Sequence, residues 1–94
     1  MNFLDLFNAV ARLAKPAVAS ELKPVTDPTE PIKDLGIDSL DMLMITVYLC
    51  EIYGISEEVG KGLKPVSVAE VESFVNQHKT RQPDSVQEAI ESVS

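Results

Sequence analysis

The sequence predicts an all-α fold, a small helical bundle with one long loop, on three observations. Apolar residues recur at three- and four-residue spacing in separate segments. Capping residues and glycines stand where those segments begin and end. Nowhere does the chain alternate apolar and polar residues at strand period. With 94 residues, of which 45% are hydrophobic, there is room for one domain and one core, expected to span 1–94.

The first helix is expected from Phe3 to Ala14, where Phe3, Leu6, Phe7, Val10, Leu13 and Ala14 share one face. Lys15-Pro16 disfavours its continuation, and a turn or short helical piece to Ser20 follows. Residues 21–36 hold Pro24, Pro28 and Pro31 with Thr26, Asp27 and Thr29, the composition of an ordered loop, pinned by Val25, Ile32 and Leu35. Gly36 stops that loop and Asp38 caps a second helix, Ser39 to Tyr53, with Ile37 and Met42 as a hydrophobic staple and Gly54 as terminator.

That second helix is apolar nearly all round. At 100° per residue, Met42, Leu43, Thr46, Leu49, Cys50 and Tyr53 fall within about 120° and are expected to face the core. Leu40, Met44, Val47 and Glu51 form an adjoining stripe on the Ser39 side, and Asp41, Ile45, Tyr48 and Ile52 complete the circle. In so small a domain, an all-round apolar helix is expected to present one side to a partner.

Ser56 caps a short helix that Gly60 and Gly62 keep brief. Ser67-Val-Ala-Glu70 is a capping box, with Val66 and Val71 as its staple, and it opens a helix whose inward residues are Val68, Val71, Phe74 and Val75. This helix fades near Lys79. From residue 80 the chain is left open between a flexible tail and a further helix started by Pro83-Asp84-Ser85, with Val86, Ile90 and Val93 on one side.

Charge is unevenly placed. Net charge is −7, and residues 27–58 hold eight acids against Lys33 alone, so the whole excess lies around Ser39. Such a surface repels nucleic acid and anionic lipid and draws in partners with basic patches. The single cysteine, Cys50, closes no internal disulfide, which points to a reducing, cytoplasmic setting. No apolar run approaches a membrane span, and the first residues lack the basic start of a signal peptide.

Chemistry concentrates at the head of the second helix. A hydroxyl at the first helical position points outward at the positive end of the helix dipole, which suits an esterified phosphate. Asp-Leu-Gly-Ile-Asp-Ser-Leu-Asp, residues 34–41, resembles the phosphopantetheine attachment motif of acyl carrier proteins. The resemblance extends more loosely over residues 1–79 and implies a bundle of three main helices plus a short one. It implies that Ser39, flanked by Asp38 and Leu40, receives 4′-phosphopantetheine from coenzyme A through a magnesium-dependent phosphopantetheinyl transferase. The arm then carries acyl groups as thioesters to ketosynthase, dehydratase, reductase or acyltransferase enzymes of fatty-acid or polyketide-type synthesis. Aspartate rather than histidine before the serine is similar to acyl rather than peptidyl carriers.

One departure stands out against that family. Its second helix usually shows several acids to partners, whereas here Met44, Val47 and Cys50 stand on that side with Glu51. A specialised carrier is expected, a monomer whose partners dock through Asp41, Met44, Val47 and Glu51 on basic and apolar surfaces. No catalytic role is expected: Cys50 has no histidine near it in sequence, His78 is remote and exposed at a helix end, and no glycine-rich phosphate loop occurs. Asp34, Asp38 and Asp41 read as a solvated rim rather than a metal site. The competing class is a small acidic helical adaptor that docks by its apolar second helix and carries no prosthetic group.

Overall fold

In a computed structural model, the described residues, 2–14 and 25–93, form five α-helices: α1 (Phe3–Ala14), α2 (Ser39–Tyr53), α3 (Glu57–Lys61), α4 (Val68–His78) and α5 (Val86–Val93). A 3₁₀ turn, Ile32–Leu35, precedes α2. The expected turn after Lys15 and the start of the long loop, to residue 24, lie outside the described residues.

α2 is central and packs against α1, α3, α4 and α5. Its two neighbours with the strongest amphipathic pattern are α1 and α5. α1 starts with Asn2, whose side chain accepts the Leu4 N–H at 2.9 Å, and buries Phe3, Leu6, Phe7 and Val10. Each such side chain contributes about 1.5–3 kcal/mol relative to remaining exposed.

The long loop is held at both described ends. Asn8 in α1 donates its amide to the Val25 carbonyl at 3.1 Å and accepts the Val25 N–H at 2.8 Å. Farther on, the Ile32 N–H donates to the Val66 carbonyl and the Ala69 N–H to the Pro28 carbonyl, both at 2.8 Å. Val25, Ile32 and Leu35 are buried beneath these bonds, as expected. The loop therefore delivers Gly36 and Ile37 to a fixed place at the head of α2.

α4 opens on the expected capping box, with the Ser67 N–H donating to Glu70 Oε2 at 3.1 Å, and Val68, Val71 and Val75 are buried. The staple does not close as predicted. Val66 is 64% exposed, because its backbone is engaged by Ile32 and Glu70 and its side chain is left outside. The open question after residue 80 is resolved as a docked helix. Ser85 Oγ accepts the Glu88 N–H at 3.1 Å, Ala89 is buried, and Val86, Ile90 and Val93 pack against the core.

The core face of α2 also differs from the expected stripe. Buried positions are Ile45, Thr46, Leu49, Cys50, Ile52 and Tyr53, while Leu43 is 53% exposed and Met42 half-buried. These six span about 160° at 100° per residue, wider than predicted and rotated away from Leu43. Four helices press on α2 from different sides, and where nearly every position is apolar the pattern does not mark the centre of the buried arc.

Candidate functional site

The site is built by the turn from the loop into α2. Gly36 adopts φ +78°, a left-handed conformation that any side chain would strain, and it ends the 3₁₀ turn. Ile37 is buried and anchors the next step. Asp38 is extended, and its Oδ1 accepts the Asp41 N–H at 2.9 Å. In return Asp41 Oδ2 accepts the Asp38 N–H at 3.2 Å. The sequence reading has Asp38 as cap but misses the reciprocal acid, although an acid three residues after a cap is its signature.

This closed box leaves Ser39 as the first residue of α2, exposed to solvent. Within a helix the N–H groups of Ser39 and Leu40 have no carbonyl four residues back, so the 15-residue α2 presents donors and partial positive charge beside the hydroxyl. An outward hydroxyl with room around it and donors behind it fits a phosphate ester.

A cleft of about 600 Å³ opens beside Ser39, between the start of α2, the end of α3 and residues 63–66. Its walls are mostly apolar, formed by Ile37, Met42, Leu43, Leu63 and Val66. Thr46 also lines it, but its hydroxyl donates to the Met42 carbonyl at 2.8 Å and is satisfied within the helix. Gly60 closes the floor, where a Cβ would lie 2.8 Å from Cys50 Sγ. Lys61 and Lys64 stand on the same wall. None of this cleft was drawn from the sequence, because its lining comes from four separate segments.

Along the outer side of α2, Leu40 is 68% exposed, Met44 and Glu51 are exposed and Val47 is half-buried. The exposed Leu43 joins them. Cys50, named both in the expected core stripe and beside Met44 and Val47, takes the core place: it is buried under α3, and its thiol is pushed above its ordinary 9.0 by burial and then by Glu57, so the nucleophilic thiolate is disfavoured. Asp41 lies at the head of this side, but its carboxylate is turned into the capping box. His78 ends α4, exposed, with its ring 4.7 Å from Phe74. Among the described residues no group of three or more His, Cys, Asp or Glu is placed to hold a metal ion, and no helix is long and apolar enough to cross a membrane.

Residues 12–60, just over half of the chain, match the phosphopantetheine attachment site family. The chain belongs to that family. A search of curated proteins and one of solved structures find no match. A phosphopantetheine carrier of this family bears 4′-phosphopantetheine covalently and works with a phosphopantetheinyl transferase and synthesis enzymes. The matched segment includes the whole turn from Gly36 to Asp41 and all of α2 and ends at Gly60. Carrier domains of this kind are generally not catalysts themselves.

Proposed function

We propose that this carrier is an acyl carrier protein in which Ser39 Oγ bears the arm, serving fatty-acid or polyketide-type synthesis in a specialised pathway. The observation that carries the reading is the exposed serine at the first position of α2, inside Asp-Leu-Gly-Ile-Asp-Ser-Leu-Asp and within the matched segment. When bound, the arm supplies a terminal thiol that holds an acyl chain as a thioester.

The chain's own residues do the rest. Asp38 and Asp41 lock the turn so that the hydroxyl has one direction, and the exposed Leu40 beside it meets the enzymes that approach. Met44, Val47 and Glu51 continue that contact along α2 for the ketosynthase, reductase, dehydratase or acyltransferase partner. Asp41 contributes through the turn it fixes more than through a free charge. A role as a prosthetic-group-free adaptor would use the same outer side of α2, and the first experiment separates the two.

Incubation with coenzyme A, magnesium and a broad-specificity phosphopantetheinyl transferase is expected to add one phosphopantetheine unit to the intact mass. Ser39→Ala is expected to stay at the unmodified mass with its fold retained. Unmodified wild-type protein with several transferases would overturn the assignment in favour of the adaptor.

A further inference from the structure

The cleft beside Ser39 has an unusual charge for its neighbourhood. Residues 27–58 carry eight acids and one base, yet the cleft lining contributed by residues 60–66 includes Lys61 and Lys64. Both lysines are exposed, and neither makes a hydrogen bond or ion pair among the described residues. Two other polar groups there are already engaged. The Thr46 hydroxyl donates within α2, and Asp38 Oδ1 accepts from the Asp41 N–H. The cleft thus has mostly apolar walls and two cations in its lining, together with the residue at which an anion is to be attached.

Resting on the reading of Ser39 given above, we propose that Lys61 and Lys64 bind the phosphodiester of the arm and lay the arm along the apolar cleft. A phosphodiester at Ser39 adds negative charge beside Asp38 and Asp41, and cations across the cleft add to the positive end of α2 in offsetting that repulsion. Lysine suits this task because its ammonium is a point charge on a long stem and needs no fixed fork geometry. With the phosphate drawn toward residues 61–64, the body of the arm faces Leu43, Leu63 and Val66 instead of water. The lysines act as positioning residues, and release from them frees the arm to swing outward.

The test compares amide resonances of the apo and phosphopantetheine-loaded chains, with loading confirmed by intact mass. Loading is expected to move the resonances of residues 61–66 as well as those of 38–42. Most of the shift at 61–66 is expected to be lost in Lys61→Gln/Lys64→Gln and in 1 M salt, and retained in Lys61→Arg/Lys64→Arg. Apo unfolding midpoints of the three proteins are expected to coincide, since neither lysine has a partner to lose. A fully loaded wild type whose shifts stop at residue 42, or a glutamine variant with unchanged shifts at 61–66, overturns this proposal alone. A chain that takes up no arm overturns the assignment of Ser39 and this proposal with it.

Discussion

Gly60 lies where α3 crosses α2, and a Cβ added there would stand 2.8 Å from Cys50 Sγ and 3.4 Å from Thr46 Cγ2. The buried thiol has little freedom to move, so Gly60→Ala is expected to destabilise by about 1–2 kcal/mol, overpacking outweighing the better helix propensity of alanine. Urea unfolding checks this, and Cys50→Ala combined with Gly60→Ala is expected to cost less than the two single changes summed. A second consequence at this scale concerns pH. Burial, and then Glu72, pushes the Tyr53 phenol above its ordinary 10.0, as burial and Glu57 push the Cys50 thiol above 9.0. Unfolding lets both ionise at lower pH, so the folded chain binds more protons in the alkaline range. The stability they carry is complete below about pH 9 and is lost as pH rises through their folded values. Tyr53→Phe is expected to flatten the fall in urea midpoint on the alkaline side.

Among the elements, α2 depends on a cap it does not encode. Gly54 ends it at φ +66°. Its last carbonyls are then taken by residues about 27 positions later. Thr80 and Arg81 donate their N–H groups to the Tyr53 carbonyl, at 2.9 and 3.2 Å, and Thr80 Oγ1 donates to Gly54 at 2.7 Å. The Arg81 guanidinium donates to the carbonyls of Ile52, at 3.1 Å, and Glu51. A cation here also meets the negative end of the α2 dipole. Arg81→Ala is expected to cost about 1–2 kcal/mol, part of it lost at high salt, as read from chemical unfolding at two ionic strengths. This link ties residues 80–81 to the end of α2 just ahead of α5, whose Val86, Ile90 and Val93 pack on the core.

On the scale of the whole molecule, acidic charge and apolar exposure fall in the same stretch of chain. Leu40, Leu43 and Met44 are exposed along α2 in the segment that holds the excess of eight acids over one base. Partners that read such a surface are expected to combine a basic rim with an apolar seat. Met44→Glu is expected to weaken binding of the cognate synthase about tenfold while the added charge leaves long-range steering intact, measured as affinity against ionic strength. Undiminished affinity would remove the apolar seat from the docking surface.

Much of this was legible in local sequence. The starts and ends of α1 to α4, the capping aspartate, the two terminating glycines, the short α3 and the outward Ser39 are decided within a few residues, because caps and turns are satisfied by neighbours in the chain. What tertiary structure alone decided are the properties that need distant segments. Which arc of α2 is buried, whether Leu43 faces solvent, that Arg81 closes α2, and that Lys61 and Lys64 share a cleft with Ser39 all depend on how four helices press on one. A helix apolar on every side has no periodicity from which to read its neighbours, so its orientation is settled only by packing.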